Sequence, residues 1–507
     1  MSAAPGIARR IATGTLHAAS GRLAGLVLWL ALTPPILAAL GTDGFAVWSL
    51  AFAFSGYLNA LDLGLAQGTL RHVAAARGRG DAGGGGAYAT LAMIGYLLLG
   101  LLWLAVALLL RAPLLSWLRV PDDVRAGAGI ALVGGAFVFA FSGFANVTIS
   151  VLQAYGRFDR ANRLTLTVLA AQALGIMFSL KAGWGLAGLI TSLAAGWLAG
   201  FLAGLITLPR SAPEFRWARW SESRAHVGES WRFGGPLQAA AALSVAHGQL
   251  DKILLARLVA LAAVTPFELG LRVVTAAASM PQMLLLAAVP AAATLQAGDD
   301  LRRLRELYLR GNRYVISVGA VVFAPCLGAA DRLFATWLGP GHPDAALALR
   351  GLALSAAVAL AGSMGITIAR GVGRTDLEVW LSATSLAVHL AVSLWLIPLL
   401  GLGGALLGLL AGHLVGVTLF LWRLAGALGW GRARILLEPL GLPVLAASLG
   451  AGASALADRL APQWGGAGAW VLLAAVGAAG ALTTAAVIAG TRFVHIGEVW
   501  KLIRPAR

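Results

Sequence analysis

The sequence predicts an all-α polytopic membrane protein of about fourteen transmembrane helices, and three observations carry that prediction. Only 12% of the 507 residues are charged, whereas a soluble chain uses roughly 25% to cover its surface. Apolar residues make up 59% of the chain, and the mean hydropathy is +0.82. The apolar runs are long and unbroken, and about 18 such residues suffice for a membrane-crossing helix. They lack the ~10-residue alternating segments that build membrane β-barrels.

Apolar spans fall near 23–40, 45–68, 87–110, 127–151, 164–181, 186–208, 233–256, 265–291, 314–330, 347–369, 378–399, 402–422, 436–457 and 467–490. The first follows Arg9, Arg10 and Arg22 and reads as a membrane helix. The thirteenth is interrupted by Pro439 and Pro443, and Pro34-Pro35 inside the first marks either a hinge or a plain kink. The connections on one side of the membrane carry 28 Lys and Arg, those on the other carry 8, and Lys252 and Arg272 lie within spans. Positive connections stay in the cytoplasm, so both termini are expected there, in a bacterial inner membrane. The net charge of +17 is accounted for by these basic loops beside anionic lipid, and no nucleic-acid motif accompanies it. The single cysteine, Cys326, excludes an intrachain disulfide and a Cys-based metal site. No Walker motif is present, and no connection is long enough to hold an extramembrane catalytic domain. The chain is therefore not expected to be an enzyme.

The two halves repeat. Gly156-Arg157-Phe158-Asp159 is echoed by Gly373-Arg374-Thr375-Asp376, Trp117-Leu118 by Trp337-Leu338, and Gly185-Leu186-Ala187-Gly188 by Gly401-Leu402-Gly403-Gly404. The offsets are 217, 220 and 216. A repeat of six helices enters the membrane from the same side both times. Two six-helix lobes are then related by a pseudo-twofold axis along the membrane normal, with a site between them. The expected segments are an N-lobe (1–208), a basic cytoplasmic connector (209–232), a C-lobe (233–423), and two extra C-terminal helices with a cytoplasmic tail (424–507). Two lobes about a cavity suit alternating access.

Charged groups inside spans are costly and face a cavity or a partner. On the eighth span Glu268, Arg272, Thr275, Ser279 and Gln282 are spaced i, i+4, i+7, i+11, i+14, within about 80° of one another on a helix. Ser244, His247, Gly248, Asp251 and Lys252 form a looser stripe on the seventh. Asn146 sits among Ser142, Ser150 and Gln153 on the fourth, and Asp62 shares a face of the second with Ser55 and Asn59. Arg22 and Arg71 stand at the cytoplasmic mouth, as positive-inside anchors or as anion ligands. Asp251 with Lys252, or Glu268 with Arg272, are either structural ion pairs or cavity groups. His247, His389 and His413 read as packed or helix-bonding groups rather than proton carriers. Arginines at both ends of a path suit a diphosphate, because guanidinium binds phosphate oxygens in a fork.

Five segments resemble the signatures of polysaccharide flippases: Leu40-Gly41-Thr42-Asp43-Gly44-Phe45-Ala46-Val47-Trp48, Leu61-Asp62-Leu63-Gly64-Leu65, Leu152-Gln153-Ala154-Tyr155-Gly156-Arg157-Phe158, Asp251-Lys252 and Trp337-Leu338-Gly339. They occur in the family's order along the whole chain. Phe45 and Ala46 stand where Tyr and Gly are usual. The resemblance is to the O-antigen and exopolysaccharide branch of the multidrug/oligosaccharidyl-lipid/polysaccharide superfamily. It implies two six-helix lobes and a flippase for undecaprenyl-diphosphate-linked oligosaccharides in surface polysaccharide synthesis. It also implies a polysaccharide polymerase or assembly complex as partner, besides membrane lipids, and no nucleic acid.

Related lipid II flippases place diphosphate arginines on the first, second and eighth helices. By location this points to Arg22, Arg71 and Arg272 here, with Lys252 beside them. Asp62, Asp251 and Glu268 are the candidates for coupling to a proton or a sodium ion, with no other cofactor and no metal site. Asn146, Thr275, Ser279 and Gln282 are expected to line the cavity. The rival readings are an ion-coupled multidrug exporter of the same superfamily, a membrane glycan polymerase or ligase, and a scaffold in an assembly complex.

Overall fold

A computed structural model describes residues 5–60, 65–285, 288, 292, 295–296, 300–437, 440–462, 465–491 and 493. Their regular structure is entirely helical. Eleven helices among these residues are long and apolar enough to cross a membrane, or twelve if one bent pair counts as a span. Helix is present at each of the fourteen expected spans, so the expected architecture holds. The bounds shift outward at several spans, because helices continue past the charged residues at which an apolar run stops. The chain forms two compact units, Met1–Gln249 and Leu250–Arg507.

Unit 1 opens with α1 (Pro5–Ala60), which joins the first two expected spans. It runs through Pro34 and Pro35 and breaks at Gly41, with φ 66° and ψ −177°. The break falls in the connection expected at 41–44, inside the signature segment, because only glycine takes that φ without a Cβ clash. Phe45, Ala46 and Trp48 just beyond it are fully buried. Then come α2 (Leu65–Gly78), α3 (Ala82–Trp117), α4 (Asp122–Ala154), α5 (Phe158–Lys181), α6 (Gly185–Ser211), the short α7 (Trp220–Ser223) and the first part of α8 (Val227–Leu258). Helix α4 is central: it packs on α1, α2, α3, α5 and α6, and its Phe139, Val147, Val151 and Leu152 join Tyr96 of α3 and Val73 of α2 in one core. Helix α8 is the seventh expected span. Its His247, Gln249, Asp251 and Lys252 make it more polar than its neighbours, and it is not among the eleven.

Unit 2 continues from α8 into α9 (Val264–Met283), α10 (Leu301–Gly328), α11 (Ala330–Leu338), α12 (Pro343–Gly371), α13 (Asp376–Leu400), α14 (Leu402–Ala427), the short α15 (Arg432–Leu437), α16 (Gly441–Leu460) and α17 (Ala467–Gly490). Helices α10 and α11 meet at 70° and are the bent pair at the ninth span. The thirteenth span is not one helix from 436; α15 is separate and α16 begins at Gly441. Helices α16 and α17 pack on α10. Ser454 donates to the Val476 carbonyl at 3.0 Å, and Arg332 on α11 pairs with Asp458.

The sequence repeat has a structural counterpart within each unit. After α4, Gly156 takes φ 73° and Arg157 N donates to Leu152 O at 2.8 Å. After α12, Gly373 takes φ 77° and Arg374 N donates to Ala369 O at 2.8 Å. Both are helix stops built on a left-handed glycine. Both are followed by an ion pair, Arg157 with Asp159 at 3.3 Å and Arg374 with Asp376 at 2.9 Å. The residue after each Trp-Leu pair also has positive φ: Arg119 at 54° and Gly339 at 91°. Small residues at every fourth position line α6 (Gly188, Ser192, Gly196, Gly200, Gly204) and α14 (Gly404, Gly408, Gly412, Gly416). These ladders bring α6 against α5 and α14 against α13, as small-xxx-small stripes do in membranes. At Gly412 a Cβ would lie 2.7 Å from Ser385 O and 2.8 Å from His389 Cβ.

Candidate functional site

The candidate site is built on the hairpin of α8 and α9 in unit 2. The turn between them is short, Val259–Ala263. Lys252 lies six residues before the end of α8, and Glu268 four residues after the start of α9. At 1.5 Å per residue the two reach similar depth on antiparallel helices. Lys252 Nζ stands 2.6 Å from Glu268 Oε2. Arg272, one turn further along α9, donates from Nε to Glu268 Oε1 at 3.0 Å. Each carboxylate oxygen thus serves one cation. The side chains of Lys252, Glu268 and Arg272 are 4%, 10% and 13% exposed. Helix α9 packs on α12 through Gly270, where a Cβ would come within 2.8 Å of Leu349 N.

Removing ions from water costs several kcal/mol each, which mutual attraction offsets only with good geometry. Here three formal charges, two positive and one negative, share one buried site. The triad is therefore a buried cluster of charges in a low-dielectric setting.

A second pair lies beside it. Asp251 is adjacent to Lys252 in sequence, but successive residues point about 100° apart on a helix. The Asp251–Lys252 pairing considered from sequence does not form. Asp251 instead meets His389 of α13, with 2.8 Å between Oδ1 and Nε2, and both residues are fully buried. Asp251 Oδ2 has no hydrogen-bond partner among the described residues. His413 of α14 bonds Ser355 of α12 through Nδ1 at 2.7 Å, a helix-to-helix bond as expected.

The remaining expected residues are placed as follows. Ser279 on α9 is buried, and its hydroxyl donates to the Ala276 carbonyl at 2.6 Å. Thr275 and Gln282 are exposed. Arg71 is exposed on α2 and Asn146 is half-buried on α4, both in unit 1. Asp62 and the side chain of Arg22 lie outside the described residues. The structure therefore gathers Asp251, Lys252, Glu268 and Arg272 into one hairpin.

Sequence reasoning missed His389 as Asp251's partner. The signal was present: Ser385, His389, Ser393 and Ile397 form a buried stripe at four-residue spacing on α13, and the α14 glycine ladder packs against it.

Comparison with known proteins places this geometry in a known fold. Residues 89–340 match the family profile described as "Polysaccharide biosynthesis protein". An inward-facing multidrug resistance MATE family transporter of the MOP superfamily is similar with a TM-score of 0.67 at 19% identity, covering 80% of this chain and 95% of that one. The lipid II flippase MurJ, in an inward closed conformation, is similar with a TM-score of 0.64 at 10% identity, covering 92% and 100%. A MATE protein in complex with MaD3S gives 0.57 at 20% identity, covering 82% and 96%. A search of curated protein sequences finds no significant match. Identities this low establish the fold, and the profile match adds the sequence relationship. The chain is a polytopic membrane protein with the fold of these MATE and MurJ structures, and its residues 89–340 match the profile of a polysaccharide biosynthesis protein.

Proposed function

We propose that this protein flips an undecaprenyl-diphosphate-linked oligosaccharide from the cytoplasmic to the periplasmic leaflet of the inner membrane by alternating access. The observation that carries the reading is the buried triad, in which Lys252 and Arg272 share one carboxylate. Its two cations suit a diphosphate, whose oxygens a guanidinium binds in a fork. The family match supports a glycan cargo. In this reading Arg22 and Arg71 take the diphosphate at the cytoplasmic mouth, and Arg272 with Lys252 holds it in the outward state. Asn146, Thr275, Ser279 and Gln282 line its path. The product passes to a polymerase or assembly complex in O-antigen or related surface polysaccharide synthesis.

Asp251 is the favoured coupling group, with Glu268 and Asp62 as the other candidates. Its oxygen without a partner and its contact with His389 can accept a proton or a sodium ion. One charge crossing 100 mV releases about 2.3 kcal/mol, enough to bias a two-state rocker.

The test is the distribution of lipid-linked glycan between leaflets in a deletion strain. The expected result is intact precursor accumulating on the cytoplasmic side, with loss of surface polysaccharide. Arg272→Ala and Arg22→Ala, at normal protein levels, reproduce the defect if these residues act as proposed. Normal precursor distribution with new drug sensitivity would sink the glycan reading and assign the chain to multidrug export.

A further inference from the structure

A groove of about 740 Å³ opens on unit 1, between α3, α4 and α6. It has a polar end and an apolar run. Arg111 of α3 with Asp122 and Arg125 of α4 line the polar end, where the two helices turn. Ile130 and Phe137 of α4 and Ile190 of α6 line the run. Between Asp122 and Phe137 the α4 wall extends about 22 Å at 1.5 Å per residue. That length crosses the headgroup zone and one leaflet, half of a hydrocarbon core about 30 Å thick.

Charge at the polar end favours an anion. The connecting segment 111–125 holds three arginines against two aspartates. Arg125 is held in place by Ser116 and by Asp122, 3.4 Å away. A single acyl chain with a phosphate at its head matches both the shape and the charge.

We infer that this groove binds an anionic phospholipid, with its phosphate on Arg111 and Arg125 and one acyl chain along Ile130 and Phe137. Guanidinium groups at a membrane interface bind lipid phosphate oxygens in a fork. The groove is separate from the α8–α9 hairpin and independent of the flippase reading.

Gly129 supplies a clean test. It lines the groove, and a Cβ there would meet nothing within 4 Å. Gly129→Leu therefore fills the groove without a clash, and leucine favours the helix over glycine. Purified full-length protein is titrated with phosphatidylglycerol or phosphatidylcholine of identical acyl chains, and bound lipid is counted by native mass spectrometry. Phosphatidylglycerol is expected to bind more tightly than phosphatidylcholine by about fivefold for each engaged arginine. Arg111→Gln with Arg125→Gln is expected to abolish that preference, Gly129→Leu to weaken both lipids, and the exposed Arg302→Gln to change neither. Equal affinity for the two lipids in the wild type, or wild-type binding in Gly129→Leu and in the double arginine variant, overturns the assignment.

Discussion

At the scale of single residues, Glu268 is the group on which the hairpin depends. Glu268→Gln leaves Lys252 and Arg272 buried without their carboxylate. Breaking a buried pair in this way costs about 3–5 kcal/mol, so the variant is expected to unfold at clearly lower temperature in detergent and to lose export. Arg272→Gln keeps the Lys252–Glu268 pair, so it should retain more stability than Glu268→Gln. Equal melting of the two variants would contradict the shared-carboxylate geometry. His389→Ala strips Asp251 of the partner at 2.8 Å. Its loss is expected to abolish ion-driven transport in vesicles, with Asp251→Asn giving the same phenotype. The Glu268–Arg272 pair was legible in the sequence, because i,i+4 neighbours share a helix face. The Lys252–Glu268 and Asp251–His389 pairs join different helices, which no spacing within one helix reveals.

At the scale of elements, hydropathy placed helix at each expected span, eleven or twelve of which among the described residues are long and apolar enough to cross a membrane. The break in α1 at Gly41 falls in the expected 41–44 connection, and the 70° bend between α10 and α11 falls at the expected end of the ninth span; hydropathy did not show that helix continues on both sides of each. Three of the five flippase-like signatures carry a glycine that shapes the backbone. Gly41 breaks a helix, Gly156 ends one, and Gly339 caps α11. Gly412→Val forces α13 and α14 apart at the Ser385 and His389 backbone. The expected cost is about 1–3 kcal/mol of overpacking, together with a displaced His389, read as a lower melting temperature and reduced transport. Gly373→Ala adds about 1–2 kcal/mol of left-handed strain but touches no site residue. It is expected to lower stability and spare activity, and the pair of variants separates packing from function.

At the scale of the whole molecule, the asymmetry of basic residues predicts topology. A fluorescent protein fused to the C-terminus should glow and a phosphatase fused there should stay inactive; an active phosphatase would reverse the assigned orientation. The repeat was legible only as three short echoes, yet each echo marks a backbone turn that recurs in both units. Turns of that kind demand particular residues, whereas lipid-facing positions accept any apolar side chain, so only the turns keep a visible resemblance. The shared carboxylate also bears on turnover. Were this protein to carry the proposed diphosphate cargo, two bare cations would hold it too well to let it go. Glu268 would then be a permanent rival for that cargo, built into the same wall. It would weaken capture, hasten release, and leave Lys252 and Arg272 a carboxylate to hold on the journey back.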